Sequence, residues 1–390
     1  MCHFSEIYRI IKPDSQYLDI FLDSTSRFHQ IIKILKKNKQ MKIHVISETA
    51  YMVKGNGVHT AFVDHVELLS SKKDIETVVN NEGSGNVMHS HTYGPYFFWK
   101  GLRYPRKKVF TAHVIPDSIK GSIPAWKLWM PFVKWYMKQV YSFADVCIAI
   151  SPRVEEAIIE SGAKTHIERV YNPISIEKWR TTPEKRQQGR KKLGIKENEF
   201  VVIGVGQLQA RKGVEDFIDV ANAIPDAKFL WVGGRPFGHM TEGIARIDAR
   251  ISENEGKNIQ FTGMLDLDQM PLVYAAADMM LFTSYQENCP LAPIEGAASG
   301  LPVVFRDLNE YRSLYEHAYL TAATTDEFIS ITRKMMNDQF FFENGKIISQ
   351  TLIKQFDKNI VREKLLNIYQ YLQENEIQTI SAKFPSLQTN

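Results

Sequence analysis

From Met41 onward, short apolar runs alternate with longer amphipathic stretches. The runs at 41–47, 75–79, 86–90, 109–113, 145–150 and 167–171 have the length and composition of buried strands, and helical patterns such as 58–70 and 125–143 lie between them. This alternation predicts an α/β fold, a parallel sheet with helices on its faces. A polar, Lys/Arg-rich segment over 180–198 interrupts the pattern and reads as a domain linker with a short helix. At Phe200 the pattern restarts with FVVIGVGQ, a helix over 214–223, then KFLWVGG, NIQFTG, DMMLF and LPVVF, a second doubly wound unit. A long helix over 354–374 and a polar tail complete the chain. The expected organisation is an extension over 1–40, one Rossmann-like domain over 41–180, a second over 181–358, a helix over 359–376 returning to the first domain, and a tail over 377–390.

Composition sets the broad class. With 390 residues, 44% of them hydrophobic and 24% charged, the chain is long enough for two or three domains and an ample core. Three scattered cysteines, Cys2, Cys147 and Cys289, suit neither a disulfide framework nor a zinc site and point to a reducing compartment. No apolar run approaches the ~18 residues of a membrane span. The opening MCHFSEIYRIIKPDSQ carries charges where a secretory signal would be apolar. Residues 1–40 fit poorly with the α/β pattern that starts at Met41, and they end in Lys36-Lys37-Asn38-Lys39-Gln40; either Met41 is the functional start or 1–40 is an appended helix. Charge is uneven: residues 1–172 hold 23 Lys+Arg against 16 Asp+Glu, so the first half is the one expected to meet something anionic.

Three segments carry candidate chemistry. In SYQENCPLAPIEGAASGLPVV, Glu287 and Glu295 come after one strand-like run and precede a small-residue helix and a second strand. At the crevice of a parallel sheet, two such carboxylates suit the hydroxyls of two separate rings, as a nucleotide-sugar presents them. The alternative is a helix cap beside a solvated acid. In GVGQLQARKGVEDF, Arg211 and Lys212 sit in a loop before the helix that Gly213 opens, an arrangement fit for a diphosphate or for a plain basic turn. It is not a Walker loop, because the GxxxxGK[ST] order is absent. In KGNGVHTAF, Gly55 and Gly57 come after the first strand, where backbone amides can approach a ligand. His89, His91 and His113 lie at strand ends with no carboxylate or cysteine at ligand spacing, so no metal is expected. His113 is the one expected to face the crevice, to contact a sugar hydroxyl or remain a buried core histidine.

Taken in order, GNGV, the histidine after TA, YNPI, GQL…RKG, FTG and the E-x7-E pair resemble the family 4 retaining glycosyltransferases of the GT-B fold. The resemblance runs from Met41 to about residue 374. It implies two Rossmann-like domains facing across a cleft, a nucleotide-sugar substrate and no cofactor. It also implies roles. The amide of Gly57 would approach the donor diphosphate, and Lys212 would hold it. His113 would sit by the transferred sugar. Glu287 would bind that sugar's hydroxyls, assisted by backbone amides around Asn288 to Leu291, a stretch that also holds Cys289 and Pro290. Glu295 would bind the ribose, and Gly263 and Met264 would line the base pocket. His113, Lys212 and Glu287 are thus the expected catalytic set. One departure stands out: the family's usual arginine is replaced by Gln207, with Arg211 as the nearest substitute.

Residues 96–143 bear on the acceptor. Between 100 and 138 there are nine Lys+Arg against one acid, Asp117, and four of the six tryptophans, Trp99, Trp126, Trp129 and Trp135, fall in this stretch. Trp126, Lys127, Trp129, Lys134, Trp135 and Lys138 together suit an anionic bilayer surface. The overall pattern resembles, more weakly, that of bacterial glucosyltransferases making diacylglycerol glycolipids, which implies UDP-glucose as donor, diacylglycerol or monoglycosyldiacylglycerol as acceptor, and a cytoplasmic, peripheral location. The open alternatives are an inward-packed core or dimer face, single-stranded nucleic acid, a soluble or polysaccharide acceptor, a sugar epimerase or phosphorylase, and a degenerate sugar-nucleotide-binding subunit.

Overall fold

The computed structural model describes residues 41–52, 57–80, 83–102, 104, 107–119, 126–235, 244–315 and 319–383; the 1–40 extension, Gly55 and the end of the tail lie outside them. Six strands, β1 (Met41–Ile46), β2 (Ile75–Val79), β3 (Val87–Ser90), β4 (Lys107–Ala112), β5 (Val146–Ala149) and β6 (His166–Arg169), form a sheet in the order β2-β1-β3-β4-β5-β6. Six more, β7 (Val201–Val205), β8 (Lys228–Val232), β9 (Ile259–Phe261), β10 (Met279–Phe282), β11 (Val303–Arg306) and β12 (Leu320–Ala322), form a second in the order β12-β11-β10-β7-β8-β9. Every neighbouring pair is parallel. β3, β5, β10 and β11 are buried along their whole length; β5 and β10 read as unbroken apolar runs, whereas β3 and β11 end in buried polar residues, His89-Ser90 and Arg306.

Strand order reverses between β1 and β3 in the first sheet and between β7 and β10 in the second. Ligands of such sheets bind beyond the carboxyl ends of the strands at the point of reversal. The loops leaving β7 and β10 are the two that carry Arg211–Lys212 and Glu287. His91 and His113 stand at the corresponding ends of β3 and β4.

The strands from 41 to 171 and the helices over 58–70, 125–143 and 214–223 lie within a residue or two of where the pattern puts them. The 180–198 segment forms a helix, Pro183–Leu193, and it is well docked. The Thr182 hydroxyl accepts from the Lys185 amide at 3.2 Å, and Gly194 closes the helix at φ 66°. The helix presses on the helix Met270–Ala276 at Gly189, where a Cβ would stand 2.0 Å from the Leu272 carbonyl oxygen. Asp278 then accepts from Arg186 and from the fully buried Arg190, at 2.5 and 2.8 Å, and from the Val201 amide at 2.8 Å. The charged composition that suggests a linker is therefore partly a buried ion-pair cluster. β12 and the helices Thr325–Asn337 and Gln339–Leu352 escape the pattern reading, since a three-residue edge strand carries little periodic signal. The final helix runs from Lys358 to Lys383, further than expected, through a stretch of good helix formers with neither Gly nor Pro. Its Val361, Leu365, Ile368, Tyr369 and Leu372 pack in one cluster with Ile43, Val45, Val87 and Val109 of the first sheet. Among the described residues no helix is long and apolar enough to cross a membrane.

Asp278→Ala should destabilise the fold by about 3–5 kcal/mol, because it strands the buried Arg190 guanidinium. Urea unfolding monitored by tryptophan fluorescence measures this; a loss under about 1 kcal/mol would mean that the cluster contributes little.

Candidate functional site

The two switch points face one cleft of about 380 Å³, lined from both halves of the chain. The loops after β7 and β10 are stitched together. The Tyr285 amide and the Ser284 hydroxyl donate to the Arg211 carbonyl, at 2.7 and 3.1 Å, and the Thr283 hydroxyl lies 3.1 and 2.9 Å from the Lys212 and Gly213 carbonyls. Gly213 has φ 67°, and a Cβ on it would lie 2.2 Å from the Thr283 carbonyl oxygen, so a glycine is needed twice over.

This stitching carries Lys212 to Glu287. Their side chains form an ion pair, and the Ser284 hydroxyl lies 2.8 Å from the same carboxylate oxygen, between it and the Arg211 carbonyl. Burial pulls the Lys212 ammonium below its ordinary pKa; Glu287 opposes that shift and Arg211 adds to it. Arg211 reaches the Gln286 carbonyl with Nη1, and its buried Nε has no partner among the described residues. Glu295, at the far end of the cleft, accepts from the Tyr274 hydroxyl at 2.9 Å. Burial raises the Glu295 carboxyl to about 7, with the Tyr274 bond opposing the shift and Asp64 adding to it. Leu291 begins a short helix, Leu291–Ala298, whose cap residue Pro290 makes no side-chain bond to its amides.

Of the expected site residues, Gly57, His113, Gln207, Arg211, Lys212, Met264, Glu287, Asn288, Cys289, Pro290, Leu291 and Glu295 all line the cleft. No described heavy atom lies within 4 Å of a Cβ built on Gly57, so packing alone does not demand that glycine. Burial pushes the Cys289 thiol up to about 12, which makes it an inert wall. Gly263 is not among the residues that line the cleft, although its neighbour Met264 is. At φ 70° the Gly263 carbonyl turns to accept from the Gly233 amide at 3.0 Å, and Gly233 and Gly234 form that wall instead. Gly233 escapes the sequence reading although its signal, two glycines ending a strand, is visible; at φ 139° its missing Cβ would meet the Gly206 oxygen at 2.0 Å. The Asn288 side chain bridges the lobes, donating to the His113 carbonyl at 3.0 Å and to the Ser118 hydroxyl at 2.9 Å; Gln286 likewise donates to the Asp117 carbonyl at 2.9 Å.

Behind His113 lies a buried group of histidines. His65, His89 and His91 offer ring nitrogens within 4.8 Å of one another. Burial lowers the pKa of all three and of His113, with His65 and His113 at about 3. With no acid in the cluster, a divalent ion there would carry its charge uncompensated into an apolar core.

On the neighbouring helix Trp126–Phe143, Leu128, Trp129, Phe132 and Trp135 are exposed at 81, 58, 57 and 57%. Lys127, Lys134 and Lys138 are exposed beside them, while Trp126 is half-buried. Leu128 and Phe132 belong to this row as much as the tryptophans do, a point that a reading built on tryptophan and lysine passes over. The helix packs on the turn Pro116–Ile119, whose Ser118 lines the cleft.

Residues 185–345 match the model of glycosyl transferases group 1, and residues 82–178 match that of glycosyltransferase family 4. The chain belongs to these glycosyltransferases. It is 28% identical over 348 residues to alpha-galactosylglucosyldiacylglycerol synthase of Streptococcus pneumoniae, covering 88% of this chain and 92% of that protein. It is also 28% identical over 335 residues to the processive diacylglycerol alpha-glucosyltransferase of Acholeplasma laidlawii, covering 82% and 96%. Among solved structures, HepE from Anabaena superposes with a TM-score of 0.69 at 17% identity, over 85% of this chain and all of that one. Sucrose-phosphate synthase from Thermosynechococcus elongatus gives 0.68 at 18%, over 85% and 99%. The fold of this glycosyltransferase is therefore GT-B.

The raised Glu295 carboxyl gives a sign for pH. Its folded pKa, about 7, exceeds the ordinary 4.5, so the folded state holds a proton that the unfolded chain loses. The stabilisation is full below about 4.5 and is lost as pH rises through about 7. In Glu295→Gln, unfolding free energies measured without ligand between pH 5 and 8 should lose this downward slope; an unchanged slope would show that Glu295 titrates normally.

Proposed function

We propose that the protein moves a hexose, glucose in the first instance, from a UDP-sugar to a diacylglycerol-based membrane lipid, with retention of configuration. The observation that carries the donor half is the convergence of Lys212, Arg211, Glu287 and Glu295 on one cleft at the two switch points. Lys212 and the Arg211 guanidinium, both lining the cleft, hold the diphosphate, whose developing negative charge is the largest thing to stabilise. Glu287 and Glu295 take the hydroxyls of the sugar and the ribose. Gln207 stands where a cation is usual, so Arg211 supplies the second positive charge. The departing phosphate oxygen accepts the acceptor's proton on the same face, and no protein base is required. The Gln286 and Asn288 contacts hold the lobes together and keep water from the activated sugar.

The acceptor half is supported by the exposed Leu128–Trp129–Phe132–Trp135 row with its three lysines. Such a face suits an anionic bilayer, and the helix adjoins the turn that walls the cleft, so a lipid headgroup would meet the sugar at its mouth. Both relatives are diacylglycerol glycolipid enzymes by name, and both names specify an alpha product. The alpha-linked sugar of an ordinary UDP-hexose gives such a product by retention. The second relative's name favours glucose and the first includes galactose, so UDP-galactose is the competing donor.

Two measurements test this. UDP release from UDP-glucose should require vesicles containing diacylglycerol or monoglucosyldiacylglycerol, and Lys212→Ala should lower kcat/KM by about 10²–10³-fold. Release that is indifferent to lipid would point to an epimerase or hydrolase, and absence of turnover with every UDP- and GDP-hexose would favour a binding subunit. For the surface, replacing Lys127, Lys134 and Lys138 with Gln should weaken co-sedimentation with anionic vesicles at low salt by roughly 3 kcal/mol, on the order of 10²-fold. Equal binding by wild type and variant would remove this helix from membrane docking.

A further inference from the structure

A single-file chain of hydrogen bonds runs from the cleft to the C-terminal helix. His113 Nε2 meets His91 Nδ1 at 2.9 Å, and His91 Nε2 meets His65 Nδ1 at 2.5 Å. His65 Nε2 meets the Tyr369 hydroxyl at 3.0 Å. That hydroxyl also meets His89 Nδ1 at 2.6 Å, and His89 Nε2 meets the Thr111 hydroxyl at 2.6 Å. The six residues come from the helix Gly57–Ser70, the ends of β3 and β4, and the final helix, and all are buried. The rings of His89 and His91, and of His91 and His113, are stacked with centroids 5.0 and 5.2 Å apart.

The proton count restricts this chain severely. A neutral imidazole has one N–H and one acceptor nitrogen. Burial keeps all four rings neutral at ordinary pH. Each ring-to-ring contact then needs one donor and one acceptor, so His65, His91 and His113 must all point their N–H groups the same way along the chain. The Tyr369 hydroxyl has one proton and two histidine contacts; it satisfies both only by donating to one ring and accepting from the other. The His89–Thr111 arm is therefore locked to the same polarity. Reversing any one tautomer leaves two donors or two lone pairs facing each other in the core, which costs about as much as a buried unsatisfied group.

We propose that Tyr369, His65 and His91 are positioning residues that hold His113 in one tautomer, so that its cleft-facing edge presents a fixed donor or a fixed acceptor to the substrate. The second ring nitrogen, Nδ1, has no protein partner among the described residues, and His113 lines the cleft. A histidine in a fixed tautomer distinguishes a hydroxyl offered as donor from one offered as acceptor; a histidine free to switch does not. What His113 contacts rests on the proposed sugar transfer, whereas the shared polarity of the chain does not.

The test is nuclear magnetic resonance of the full-length protein with ¹⁵N-labelled histidine, which reports the tautomer of each ring, combined with kinetics. Wild type should show His113 as a single neutral tautomer from pH 6 to 8. Tyr369→Phe keeps the ring and removes the link, and should give His113 signals of both tautomers or of the opposite one. In the same variant kcat should fall roughly ten- to a hundredfold, the range seen where an outer partner orients an imidazole, with UDP affinity within twofold of wild type. His65→Gln, whose amide can both donate and accept, should recover part of the loss relative to His65→Leu. If Tyr369→Phe does not fold, Thr111→Val cuts the far end and is read in the same way. An unchanged His113 tautomer in these variants, with or without a loss of rate, overturns the proposal, as does stoichiometric zinc held by His65, His89 and His91. A wild type with the single tautomer but no sugar transfer would sink the functional reading and leave this one standing.

Discussion

The close approach of two loops governs the site. Gly213 touches the Thr283 carbonyl, and backbone and hydroxyl groups of 283–285 take up the carbonyls of 211–213. Leu208 anchors the first loop in the core of the second lobe. What fixes the second loop to it is a short ladder of hydrogen bonds, possible only because residue 213 lacks a Cβ. Without that ladder, the lysine at the end of one strand and the glutamate at the end of the next would be separate solvated charges. With it they become one buried pair in a shared cleft, and the strand order of the second sheet becomes chemically useful.

The electrostatics derive from this geometry. Each strong charge in the cleft already has a partner: Lys212 has Glu287, and Glu295, its carboxyl raised by burial to about 7, has a tyrosine hydroxyl. Ligand binding is then an exchange of partners rather than the desolvation of bare ions, which limits its cost. Arg211 is the least satisfied of these charges, with one carbonyl partner at Nη1 and a buried Nε that has none among the described residues.

Much of this was legible in the sequence, for physical reasons. Fully buried parallel strands such as VCIA and MMLF write unbroken apolar runs, and the two glutamates sit a fixed distance into a loop–helix pattern that topology then places. Gly263 is harder to place, because a glycine in a motif can serve the fold behind the wall as easily as the wall itself. The Pro183–Leu193 helix read as a linker because its arginines find their acid, Asp278, far along the chain. The histidine chain was beyond reach for the same reason: His65 and Tyr369 are separated by 304 positions, and single histidines at strand ends give no hint of being linked. Pairings of high sequence separation leave no local trace.

The final helix lies against the strands with which the described chain begins. Translation delivers the two ends of that interface in the worst order: β1 emerges early, and the apolar side chains that cover its face emerge last. Until then Ile43, Val45 and the histidines beneath Tyr369 have one side open, while the second lobe can already close on itself. A nascent chain would thus possess a closed second lobe before it had a finished first lobe, so assembly of the complete cleft waits on the helix Lys358–Lys383.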